Sequence, residues 1–227
     1  MEIHIGVEDI EPKNWVAWVF EFPGCYARAS TREEAIKLAP QAVEELLKRM
    51  GPNHTPFDDT RPLFEFRVVE EFRSVRIASD YLINAFFEND RIPVSRENVE
   101  YARRLLNMNR DELKLVLSML TEVSLSRQIT GEVRGNIKGI LKHVGTTEWW
   151  YWDRLGMAFP REQLPNDLFE LLERVRDFTN ENLAALIENK MTTTKRDEIW
   201  SPRKLLRRTI WHERVHTLQI ARYVKNF

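Results

Sequence analysis

The string Trp211-His212-Glu213-Arg214-Val215-His216, which ends at position 216 of 227, holds the residue types best suited to chemistry. On a helix, His212 and His216 fall on one face about one turn apart. Two imidazoles at that spacing bind one metal ion through a ring nitrogen each. The pattern is H-E-x-x-H, the zinc-protease arrangement in which Glu213 would be the general base. Its usual forms take a third ligand downstream. Residues 217–227 contain no His, Asp, Glu or Cys, so a third ligand must lie upstream. Glu213 points about 100° away from His212 around the helix. It therefore reads as a group behind the ligands, or a surface residue, before it reads as a base. The simpler alternative is a surface helix that carries two histidines and no metal.

The chain has five histidines. His4 falls on an apparent first strand and His54 in a Pro-rich loop. His143 lies in an apolar helical stretch, Gly139-Ile140-Leu141-Lys142-His143-Val144-Gly145, with Glu148-Trp149-Trp150-Tyr151-Trp152 after it. A histidine inside a helical bundle needs partners for its ring nitrogens, either a metal or a buried carboxylate or carbonyl. Glu148 is five positions beyond His143, off its face, and is not expected to be a ligand.

The elements that must position these residues fall into two groups. Over residues 1–72, Ile3, Ile5 and Val7 alternate as on a half-buried strand. Residues 14–22 are strand-rich by type, Pro23-Gly24 marks a turn, and residues 25–29 make a short third strand. Ser30 or Thr31 caps a helix whose apolar stripe runs from Ala35 to Leu47, with Pro40 as a kink point and Gly51-Pro52 as its end. Residues 63–72 supply a fourth strand. Over residues 73–227 helix formers dominate. A short helix is expected at residues 80–88. Longer helices are expected from about residue 95, over 132–155, over 167–189, and from Ser201-Pro202 onward. The fold class is α+β: a small βββαβ domain followed by a four-helix bundle.

A length of 227 residues allows one large domain or two small ones with real cores. The formal net charge of −1 gives no electrostatic case for nucleic acid or an anionic membrane. No apolar run approaches the roughly 18 residues of a membrane span, and the first residues lack the features of a signal peptide. A cytoplasmic location is the expectation. The single cysteine, Cys25, has no internal disulfide partner and reads as a packing residue.

The segments Trp18-Val19-Phe20-Glu21-Phe22-Pro23-Gly24-Cys25 and Ser30-Thr31-Arg32-Glu33-Glu34-Ala35 resemble the HicB-like antitoxin domain. No DNA-binding unit accompanies them, so operator binding is not carried over. The helical half resembles the DinB-like metalloproteins. One matching stretch is Ile137-Lys138-Gly139-Ile140-Leu141-Lys142-His143-Val144, followed by Glu148-Trp149-Trp150-Tyr151. The other is Trp200-Ser201-Pro202, followed by His212-Glu213-Arg214-Val215-His216-Thr217-Leu218-Gln219-Ile220. The resemblance implies that His143, His212 and His216 are ligands of a divalent ion, with Zn, Ni, Fe or Co all suited to imidazole. It implies transfer of a small thiol to an electrophile, or metal-assisted hydrolysis, on a small-molecule substrate. The competing expectation is a regulatory protein with a structural metal, forming a homodimer or binding a protein partner through residues 1–72.

Two further clusters each allow two readings. Trp149, Trp150 and Trp152 suit either the core and domain interface or an apolar wall around the metal. Arg203, Lys204, Arg207 and Arg208 suit either a solvated face or the binding of an anionic substrate tail or partner.

Overall fold

Residues 1–51, 64–77 and 81–225 are described by the computed structural model. Three strands come first: β1 (Glu2–Glu11), β2 (Asn14–Val19) and β3 (Tyr26–Ala29). Helix α1 (Arg32–Met50) then leads to β4 (Glu65–Arg73). β1 pairs antiparallel with β2 and parallel with β4, giving the order β3-β2-β1-β4. The parallel pair needs a crossover, and α1 lies in that connection. The Thr31 side chain caps α1 by accepting from the Glu34 amide, and Gly51 ends it at φ 76°. Pro40 does not interrupt the helix.

Ile3, Ile5, Val7, Ala17 and Val19 lie on one face of the sheet and share a core with Ala35, Ala39, Val43 and Leu46 of α1. Val16 and Trp18 lie on the other face and pack with Phe20, Ala85, Phe87 and Trp211. Because both faces are covered, Gly6 and Glu8 are buried along with the apolar residues. Gly6 has no room for a side chain: a Cβ there would lie 2.4 Å from the Phe20 ring.

β5 (Val75–Ile77) and β6 (Tyr81–Ile83) form an antiparallel hairpin. This corrects the helix expected over residues 80–88, of which residue 80 lies outside the described residues. Tyr81, Leu82 and Ile83 are too few for a stable helix, and Tyr and Ile favour strand. Only a single 3-10 turn, Glu88–Arg91, follows.

The remaining elements are α2 (Arg96–Ser118), the short α3 (Glu122–Ser126), α4 (Ile137–Arg154), α5 (Leu168–Asn182), the hairpin β7 (Thr193–Lys195) and β8 (Glu198–Trp200), and α6 (Pro202–Val224). α4 starts later than expected, because Asn136 accepts from the Gly139 amide at 2.9 Å and Gly135 just before it has φ 80°. α5 stops at Asn182, where the chain tightens into a 3-10 turn. α6 begins at Pro202, capped by the Ser201 side chain. α6 packs on α2 and α4, and α4 also packs on α5.

The largest core cluster runs from Ile3 and Ala17 through Leu105 and Trp152 to Leu205 and Ile210. Sheet and helices therefore share an interior. Gly24, at φ 85°, sits where they touch, and a Cβ there would lie 2.3 Å from Ile210. Cys25 is buried in the same cluster, and its thiol is pushed up to about 12 by burial. No helix among the described residues is long and apolar enough to cross a membrane.

Candidate metal centre

The inner faces of α4 and α6 bring His143, His212 and His216 together. One ring nitrogen from each lies within 4.8 Å of the others. The His143 and His212 Nε2 atoms are 2.9 Å apart. The ring centroids are separated by 4.8, 5.1 and 4.6 Å. His212 and His216 are buried, while His143 is half-buried and marks the side nearer solvent. Among the described residues, no carboxylate or cysteine joins this group of candidate ligands. His4 is elsewhere, bonded to Glu21 and Glu2 on the sheet. His54 lies outside the described residues.

The outer ring nitrogens explain why the inner ones face each other. His216 Nδ1 is 2.7 Å from Gln219 Oε1. Gln219 Nε2 donates to Glu132 Oε2 at 2.6 Å, and the Tyr223 hydroxyl donates to the same oxygen at 2.9 Å. The Glu132 carboxylate can only accept, so it fixes the orientation of the Gln219 amide. The amide oxygen then demands a proton on His216 Nδ1 and leaves the Nε2 lone pair facing the centre. His143 Nδ1 has Thr147 Oγ1 at 3.3 Å. Gln219 and Tyr223 continue the helical stripe of His212 and His216, a spacing readable from sequence. Glu132 and Arg134 come from the loop before α4 and carry no local signal.

Burial is the main reason all three imidazoles are neutral. It pushes His143 down to about 3, helped by the nearby Arg134 charge and, once His216 is protonated, by repulsion from that ring. Burial pushes His216 down to about 4 against the opposing pull of Gln219, and holds His212 well below the ordinary histidine range. Burial alone would raise the Glu132 pKa. The Arg134 amide and the Tyr223 hydroxyl outweigh it and keep that carboxylate ionised. The donor set is therefore three neutral imidazoles backed by a negative charge, which suits a divalent cation. A ligand nitrogen about 2.0–2.1 Å from an ion implies nitrogen pairs roughly 2.9–3.4 Å apart for angles between 90° and tetrahedral. The His143–His212 pair already has that spacing.

No family model, curated protein or solved structure matches this chain. The site's own geometry is thus the basis for any assignment.

Glu213 belongs to a different centre. Its carboxylate accepts from Arg110 Nε at 2.6 Å and from Arg176 Nη2. Arg176 also holds Glu148 through Nε at 2.9 Å and Nη2 at 3.0 Å, and Arg110 Nη2 reaches Glu148 at 3.4 Å. All four side chains are at most 6% exposed, and α2, α4, α5 and α6 contribute one each. Arg110 and Arg176 further donate to the backbone carbonyls of Leu172 and Leu106. Both Glu213 oxygens are engaged by guanidinium groups, so the geometry gives the general-base role for Glu213 no support. Glu148 is in the tetrad and not among the candidate ligands, as its spacing from His143 implies.

The tryptophans after His143 are packing residues. Trp152 is fully buried and donates to Thr179 Oγ1 at 3.0 Å. Trp149 donates to the Phe159 carbonyl, and Trp150 stacks edge-on against Trp200. The aromatic wall beside the histidines is Tyr151, whose ring centroid is 5.9 Å from that of His212. An open groove of about 470 Å³ lies near the other end of α4, lined by Trp149, Trp150, Arg154 and Phe159 among others, and by none of the three histidines.

The basic start of α6 is not a solvated face. Lys204 is fully buried against Glu198 at 2.8 Å, with its pKa pushed down by burial to about 8. Arg207 is buried and makes a two-pronged contact with Asp90. These pairings join α6 to β8 and to the turn at Glu88–Arg91.

Proposed function

We propose that this chain is a metal-dependent enzyme of the DinB-like group, with His143, His212 and His216 holding one divalent ion drawn from Zn, Ni, Fe or Co. The observation that carries this reading is the convergence of three neutral imidazoles with no fourth candidate ligand among the described residues. Structural zinc sites are closed by four protein ligands, whereas catalytic ones keep a position for water or substrate. The three candidate nitrogens lie within 4.8 Å of one another, close enough for one ion to take all three. The chemistry such an ion supplies is Lewis acidity, under which a bound thiol or water gives up its proton near neutral pH.

The chain's own residues would do the rest. Glu132 and Gln219 set the His216 tautomer. Thr147 restrains the His143 ring. Tyr151 keeps one side of the site apolar. The reaction class is transfer of a small thiol to an electrophile, or hydrolysis. The test is elemental analysis of purified protein beside His216→Ala. One ion per chain in the wild type and none in the variant is the expected result. Equal content in both proteins removes the assignment. His143→Ala and His212→Ala should behave like His216→Ala.

A further inference from the structure

α6 presents Arg208, His212 and His216 on one stripe at successive four-residue steps, and α4 opposes it with Tyr151 and His143. The end of this seam beyond His212 is made by Arg208. Its side chain is only 6% exposed, and its guanidinium carbon lies 4.3 Å from the Trp211 ring centroid and 5.8 Å from that of Trp18. Lys204 and Arg207, its cationic neighbours on α6, are each fixed by a carboxylate. Arg208 is not. Its Nε and Nη1 atoms are buried without a hydrogen-bond partner, and so is Trp211 Nε1. The Tyr151 hydroxyl hydrogen-bonds the guanidinium, which leaves Nε and Nη1 as its unpaired donors.

The carboxylates close enough to act on Arg208 are already engaged. Glu8 accepts from Trp18 Nε1, Ser74 Oγ and the Ala85 amide, each at 2.8 Å. Glu198 accepts from Lys204, Tyr81 and Asn84. The long-range charge of Arg208 is thus balanced, but its hydrogen bonds are not. Buried donors left in this state are uncommon in folded proteins and call for a partner. A planar guanidinium held beside an indole presents N–H groups in the fork geometry that carboxylates match.

We propose that Arg208, with Trp211 Nε1, binds the carboxylate of a small substrate whose reacting end lies at the three histidines, about one helical turn away. The substrate role rests on the metal-enzyme reading above. The anion subsite itself does not. The test titrates full-length protein, in chloride-free buffer, with acetate and separately with phosphate, following tryptophan fluorescence. It is run on metal-stripped and zinc-loaded samples, with zinc content measured in parallel. Wild-type protein should bind acetate saturably with or without zinc. Arg208→Met should weaken binding about 10–100-fold. Trp211→Phe keeps an aromatic face beside the guanidinium but removes the N–H, and should weaken binding several-fold. It also serves as the informative variant if Arg208→Met does not fold.

Acetate binding unchanged in Trp211→Phe and in a folded Arg208→Met would overturn the proposal. So would acetate binding that appears only with zinc, since the ion would then be the anion's partner. Binding of phosphate but not acetate would overturn the carboxylate assignment. Acetate binding in a protein that takes up no zinc would keep the subsite and remove the metal reading.

Discussion

His212 and Glu213 are adjacent residues of α6, yet they serve two buried polar centres of opposite construction. In the three-histidine centre the inward groups are neutral, and His143 and His212 meet nitrogen to nitrogen at 2.9 Å. In the tetrad each charge faces an opposite one, and backbone carbonyls take further donors. One centre turns neutral ring nitrogens toward a shared point, and in the other every charge meets an opposite one. Buried polar groups that satisfy one another hold a fold in place. Imidazole nitrogens brought together from two helices at ligand spacing mark a place for a metal ion.

The sharpest way to break this contrast is Glu213→Ala. It leaves Arg110 and Arg176 to share Glu148, with one uncompensated positive charge in the interior, and removal of one partner from a buried ionic group costs about 3–5 kcal/mol. Urea denaturation should show a loss of that size, while the refolded variant keeps its full content of metal. A loss below about 1 kcal/mol would mean that the tetrad is not what ties the four helices together. Loss of the ion with little loss of stability would return Glu213 to the metal site.

Acid should separate the two centres next. The metal-free histidines have folded pKa values below the unfolded value of about 6.5, at about 3 for His143 and about 4 for His216. The unfolded chain therefore takes up protons first as the pH falls. Stability present above pH ~6.5 is lost progressively toward pH ~4, with His216 alone contributing about 3 kcal/mol across that window. Burial alone would raise the Glu148 pKa, but Arg176 and Arg110 hold it below the ordinary carboxylate range. The tetrad therefore fails at still lower pH. Saturating zinc should raise stability across the window but leave the slope in place, because the ion also holds the histidines unprotonated while the unfolded chain still takes up protons. A metal-free protein whose unfolding free energy is flat from pH 7 to pH 5 would refute the neutral, buried state of the histidines.

The same contrast explains what could be read from sequence. The His212–His216 pair was legible because helical spacing and residue type coincide there, whereas His143 joined it only through the DinB-like resemblance. Strong local signals also gave the βββαβ order and the start of α6, through the alternation of β1 and the caps at Thr31 and Ser201. The tetrad was not legible. Arg110, Glu148, Arg176 and Glu213 each look like ordinary surface charges, and only the packing of four helices reveals that they neutralise one another. Lys204 and Arg207 misled for the same reason, since their acidic partners lie on β8 and in the turn before α2. The β5–β6 hairpin was missed because three-residue strands carry too little pattern to outweigh a helical neighbourhood.

Smaller effects should sharpen the metal side of the comparison. Gln219→Leu removes the group that sets the His216 tautomer, and losses of about 10–100-fold in metal affinity are typical when such a partner is removed. Competition with a chelating dye measures it. Thr147→Val tests the weakest outer contact, the 3.3 Å approach to His143 Nδ1. It should change affinity only a few-fold, because the hydroxyl lies at the far limit of a hydrogen bond and the half-buried His143 ring can find water instead. The ranking of these variants matters more than either value. If Thr147→Val outweighs Gln219→Leu, the site is organised around His143, on the side nearer solvent. The Glu132–Gln219–His216 chain would then be packing and not support for a metal ligand.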